Sequence, residues 1–270
     1  MATNSNSQSR KNWPPYEDAD EEPWRDVVEP TKLVLAGQSV YAEADESTPL
    51  YVMNQDVTTL THKSPTVTFE RVELDTVEDE SIDSEDFTKQ RNRHLFYLAH
   101  PAEAHRRAEL GASYYITSVS RQTVGNVKLE KPTKSLPFQK PEFRALLSEN
   151  RSAWDSPLFD KDTETLLFDA RPRWKRGRYE WLDSSGKVVA FEDDAKDGRC
   201  KLVVTIPLQR ESRDALVALW CLRLWHDSAQ SKGPETVYGV DPDIAYMTHI
   251  DTTMMKRTAA LASVGAGAGC

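Results

Sequence analysis

The chain has 270 residues, 39% of them hydrophobic and 29% charged, with a formal net charge of −9. That length suits one large domain with tails or two small ones. The acidic balance excludes general nucleic-acid binding through bulk charge, so no nucleic-acid partner is expected.

The negative charge is concentrated in two places. Glu17 to Asp26 carries a net −5 and Asp75 to Asp86 a net −7, which leaves +3 on the rest of the chain. A mildly basic folded body is therefore compatible with an acidic total. The three cysteines, Cys200, Cys221 and Cys270, are far apart and form no CxxC pair. That pattern suggests neither a zinc site nor a disulfide framework, and it points to reduced thiols. The opening MATNSNSQSRKNWPP has no apolar run and so does not read as a secretory signal. The expected location is cytoplasmic, with a nuclear or peripheral-membrane placement compatible.

Residues 1–30 read as a disordered acidic lead, rich in Asn, Ser, Pro, Asp and Glu. Short strand-like runs with turn signals between them follow. TKLVL precedes Gly37 and SVYAEA, DESTP reads as a turn before LYVM, and TVTFERVEL alternates at Val67 and Phe69 before shifting phase to Val72 and Leu74. That shift predicts a bulge. Residues 75–93 read as an exposed acidic loop. HLFYLA resumes the strands, and PAEAHRRAELGA reads as a short helix. SYYITSVS and VGNVKLE form a hairpin, PLFD and TLLFDA are two further runs, and RYEWLDSSGKVVAFED is the clearest hairpin, turning at Asp183 to Gly186. CKLVVTIPLQ closes the series, and residues 231–270 read as a flexible tail.

DALVALWCLRLW, from Asp214 to Trp225, is the most apolar stretch. It falls well short of the ~20 residues a membrane-spanning helix needs, so no transmembrane segment is expected. Ser212 and Asp214 read as a cap and an acid for the first turn. Arg223 is the one charge from Leu216 to Trp225, so a helix here is apolar on nearly every side and must be enclosed. With no comparable helix to pack against, it must be surrounded by sheet. The predicted fold is mainly β: an antiparallel, roughly twelve-stranded closed barrel over residues 31–230 around a central hydrophobic C-terminal helix.

YYITSVSRQTVGNVKLE, YEWLDSSGKVVAFED and RDALVALWCLRLW, within a span from Thr31 to Asp227, resemble the tubby C-terminal-like superfamily. That group includes tubby proteins, plant LURP-one-related proteins and phospholipid scramblases, and the similarity in character is to its fungal members. The resemblance implies binding rather than catalysis. Tubby domains bind phosphoinositide headgroups through basic side chains on the barrel. The cysteine-rich segment of the scramblases has no counterpart in this sequence.

The sharpest local feature is RPRWKRGR: Arg171, Arg173, Lys175, Arg176 and Arg178 around Trp174. These cations could hold an anionic ligand by bidentate contacts, with the indole at a membrane interface. Alternating arginines in a strand would share one face. The plainer alternative is a solvated turn whose charges guard a sheet edge. The acidic loop could also cover the patch as a charge-based gate. Asp241, Asp243, His249 and Asp251 match no standard metal loop and read as a turn, so no metal and no cofactor is expected. His226 reads as a cation serving the helix C-terminus, and Cys221 as an inert buried thiol. Tyr114, Tyr115, Trp154 and Trp181 read as core packing. No GxSxG, HExxH or GxxxxGK[ST] motif occurs. The expectation is therefore a non-enzymatic module that binds an anionic membrane surface or a protein partner through its outer wall. The alternative is a carrier or enzyme on a lipocalin-like barrel with an interior pocket.

Overall fold

A computed structural model describes residues 26–61, 64, 66–76, 88–100, 114–131, 142–173, 179–194 and 198–232. Twelve antiparallel strands close into a barrel. In chain order they are β2 (Lys32–Ala36), β3 (Ser39–Ala42), β4 (Asp45–Met53), β5 (Val67–Thr76), β6 (Thr88–Ala99), β7 (Tyr114–Ser118), β8 (Gly125–Glu130), β9 (Phe143–Glu149), β10 (Thr165–Pro172), β11 (Tyr179–Asp183), β12 (Val188–Asp194) and β13 (Cys200–Val204). Each pairs with its chain neighbour, and β13 closes the ring on β2 through Cys200↔Leu35 and Leu202↔Leu33. A two-stranded ribbon of β1 (Val27–Val28) and β14 (Leu208–Gln209) leads into the helix α1 (Arg210–Ser231).

The apolar run is where its composition demands. Every residue of α1 from Arg213 through Arg223 is buried, so all sides of three helical turns are covered. Only a surface that wraps the helix can do this. The lining comes from inward positions of the strands, among them Leu33, Met53, Phe69, Leu98, Ile116, Phe143 and Trp181, which join Leu216, Leu219 and Trp220 in one continuous core. No helix among the described residues is long and apolar enough to cross a membrane.

Local chemistry explains the register. The β11–β12 hairpin turns where DSSG predicts it: Gly186 adopts φ 82°, a left-handed geometry that glycine takes without strain. Asp183 Oδ1 accepts hydrogen bonds from the Ser185 and Lys187 amides at 2.9 and 3.0 Å. Gly125 opens β8 at φ 116°, and a Cβ there would lie 2.7 Å from the Ser148 carbonyl oxygen. That close approach lets β8 and β9 pair.

Several expectations change. The bulge is real but sits on β6: the register passes from Phe69↔Phe96 to Glu70↔His94, leaving Leu95 as the extra residue. On β5 the inward phase continues to Arg71, while Val72 is half-buried and Leu74 exposed. An arginine at an inward position imitated a phase shift. The acidic loop expected over 75–93 is shorter, because Thr76↔Thr88 is still paired and residues 88–93 belong to β6. DESTP lies in β4, whose pairing with β3 is irregular at Tyr41↔Pro49, and not in a turn. The lead expected to be disordered to residue 30 already contains β1. β9 answers to none of the predicted runs.

PLFD is not a strand. Leu158 and Phe159 cover Ala99 and Tyr115 in a second apolar cluster on the outer wall. Asn126 fixes this cover by donating from Nδ2 to the carbonyls of Ser152 and Leu158 at 3.0 and 2.7 Å. Trp154, in the same loop, is 57% exposed, contrary to its expected place in the core. Tyr114, Tyr115 and Trp181 are buried as expected. The short helix read over residues 101–112 lies outside the described residues, as does the tail beyond residue 232.

Candidate anionic-ligand site

The alternation of β10 sets which way RPRWKRGR begins. Phe168 and Ala170 face the core, so Asp169, Arg171 and Arg173 share the outer face, with Arg171 and Arg173 each half-exposed. The two arginines thus fall on one face, as their spacing required. Neither is a bare cation. Arg171 donates to Asp169 at 2.9 Å, and Arg144 of β9, directly across from Asp169, approaches the same carboxylate at 3.6 Å. Arg173 lies 3.7 Å from Glu180 of β11 and 5.2 Å over the Phe191 ring of β12. The result is a ladder of three partly exposed guanidiniums held by two carboxylates. The Arg173–Glu180 pair is partly exposed on both sides and contributes only ~0–1 kcal/mol, so an incoming oxyanion can exchange with Glu180 at low cost. Asp169 is buried and needs its cations, so Arg144 and Arg171 would meet an anion through their outward N–H groups while still holding it. Trp174, Lys175, Arg176 and Arg178 lie outside the described residues.

Buried ion-pair networks lie inside the barrel, between α1 and the strands. Arg223 of α1 donates from Nε to Glu192 Oε1 at 2.6 Å, from Nη2 to the same carboxylate, and from Nη1 to Asp227 at 2.6 Å. Trp181 Nε1 also donates to Glu192 at 3.2 Å, and the guanidinium lies 4.4 Å over the Tyr179 ring. Burial outweighs the guanidinium and holds the Glu192 carboxyl above its usual range. Nearer the start of the helix, Asp214 accepts from Tyr51 Oη at 2.7 Å and from Arg71 Nη1. Arg71 also bonds Glu73, which accepts from Arg93 Nε at 3.0 Å. Burial likewise raises Asp214. For Glu73 burial acts upward too, but the hydrogen bonds from Arg71 and Arg93 prevail and hold it below the usual range.

These networks change three sequence-based roles. Asp214 is not a first-turn acid, because α1 starts at Arg210, but a buried tie to β4 and β5. Ser212 is not the cap, since α1 begins at Arg210. His226 is not at the helix end, because α1 runs on to Ser231; it packs edge-on against Tyr114 and Phe143 at 5.1 and 5.0 Å. Cys221 is fully buried, and burial pushes its thiol well up, as expected of an inert side chain. Asp241, Asp243, His249 and Asp251 lie outside the described residues.

The proposed gate loses its simplest geometry. β6 and β10 run in the same direction around the ring, so Thr76 and Thr88, which flank the acidic segment, are at the barrel end opposite Pro172 and Tyr179. Compared with protein-family models, with curated proteins and with solved structures, the chain finds no match in any of the three.

Proposed function

We propose that this protein is a non-enzymatic binding module whose outer barrel wall takes anionic phospholipid headgroups, in line with the tubby-like resemblance of its sequence. The observation that carries the reading is the filled lumen. Leu216, Leu219, Trp220 and Leu222 occupy the barrel axis with no solvent exposure, so recognition falls to the outside. A lipocalin-like carrier would need that space for its ligand. On the outside, Arg144, Arg171 and Arg173 offer partly exposed guanidiniums, and the sequence after Arg173 adds Lys175, Arg176 and Arg178 around Trp174. Arginine forks suit phosphate oxygens, and a neighbouring indole suits the headgroup layer.

The test is co-sedimentation with vesicles containing a phosphoinositide, against neutral vesicles, at several salt concentrations. The wild type is expected to sediment with the anionic vesicles and to be released by salt. Arg171→Ala with Arg173→Ala is expected to reduce binding at least ten-fold without changing the fold. Equal sedimentation by the double variant, or none by the wild type, overturns the lipid reading and favours a protein partner.

A further inference from the structure

Arg213 sits in the first turn of α1, only 5% exposed, and its Nε is buried without a hydrogen-bond acceptor. The carboxylates around this end of the helix are already engaged. Asp214 serves Arg71 and Tyr51, Glu73 serves Arg71 and Arg93, and Asp26 serves Arg210. Glu211 is two positions away on the helix, a spacing at which side chains do not face each other. Its carboxyl is raised by burial, with no cation lowering it. Arg213 is therefore a largely buried cation with no carboxylate in ion-pair distance among the described residues, and its Nε has no acceptor.

Buried ions are costly without a partner, and the great majority of buried polar groups are satisfied. Two further features of the place favour an anion. A helix of 22 residues presents the positive end of its dipole there, with first-turn amides that have no intrahelical acceptor, the first of which, Arg210, donates to the Asp26 carbonyl. A guanidinium presents its donors as a fork that matches a planar or tetrahedral oxyanion. We propose that Arg213, at the positive end of α1, holds a small oxyanion, a phosphate or a carboxylate group, where the helix enters the barrel. This site is separate from the outer ladder. Arg213 and Arg223, whose guanidinium packs on Tyr179 beside the β10–β11 connection, are about 15 Å apart along the helix axis at 1.5 Å per residue. The 5% exposure suits a small ion and not a whole headgroup.

Thermal unfolding of the full chain in chloride, inorganic phosphate and acetate at matched ionic strength tests this. Phosphate or acetate is expected to raise the wild-type Tm over chloride in a saturable way, by about 3–5 °C at ten times the dissociation constant. A rise with phosphate alone assigns phosphate chemistry, and a rise with acetate as well assigns any oxyanion. Arg213→Met is expected to lose the rise and to be at least as stable as the wild type in chloride, because it removes an unpaired buried charge. Arg213→Lys, which keeps the charge but not the fork, is expected to keep part of the rise. The proposal is overturned by no rise in either anion, by the same rise in Arg213→Met, or by a clear loss of stability of Arg213→Met in chloride, which would mean that the protein itself supplies the partner.

Discussion

Arg223→Met is expected to destabilise the protein by about 3–5 kcal/mol, and adding Glu192→Leu to the same chain is expected to recover most of that loss. The reason is the asymmetry of buried ion pairs. Arg223 is fully enclosed and gives both sides of its guanidinium to carboxylates, one of them buried. Without it, Glu192 keeps only the Trp181 N–H and must either stay charged in an apolar lumen or take up a proton. Asp227, which is 42% exposed, can turn to water. Removing Glu192 as well replaces the pair by packed hydrocarbon, and such replacements are often neutral or stabilising. Urea midpoints of the two single variants and the double variant give the coupling directly. Additive losses would mean that the two side chains do not act as a pair.

Trp220→Ala is expected to cost about 3–5 kcal/mol, whereas Trp154→Ala should stay within about 0.5 kcal/mol of the wild type. Both are tryptophans in a chain that holds seven, so residue type alone does not separate them. Trp220 has no exposed surface and is enclosed by strand side chains on every side, so its removal leaves a void the barrel cannot collapse to fill. Trp154 stands 57% exposed on the loop that covers the outer wall. Equilibrium unfolding of both variants checks the contrast, and comparable losses would place Trp220 outside the barrel.

The enclosure of α1 was legible because a helix-length run with one charge leaves no polar face for water. The β11–β12 hairpin was legible because DSSG has turn chemistry that works locally. β9 was not: Phe143 and Ala145 face inward, Leu147 packs against the core and Ser148 is buried under the outer loop, bonding the Asp160 amide, but RALLSE lacks the β-branched residues and the strict alternation that mark a strand. Arg71 escaped for a related reason. Its inward position makes sense only once Asp214, 143 residues later, is placed opposite. For the candidate site, the shared face of Arg171 and Arg173 follows from strand periodicity. Their engagement by Asp169, Glu180 and Phe191 depends on which strands adjoin and in what register, and that is settled across the sheet. Arg213 was hidden for the opposite reason: its significance is the missing partner, and sequence alone gives no view of what surrounds a side chain.

α1 is sealed inside the barrel, and Cys221 at its middle reports on that enclosure. With Cys200 and Cys270 replaced by serine, Cys221 is the sole thiol. Reaction with a thiol reagent in native buffer should then proceed only through global unfolding, slowing in step with every condition that stabilises the protein. Prompt reaction at the rate of an exposed thiol, while the circular dichroism stays native, would mean that α1 is not enclosed.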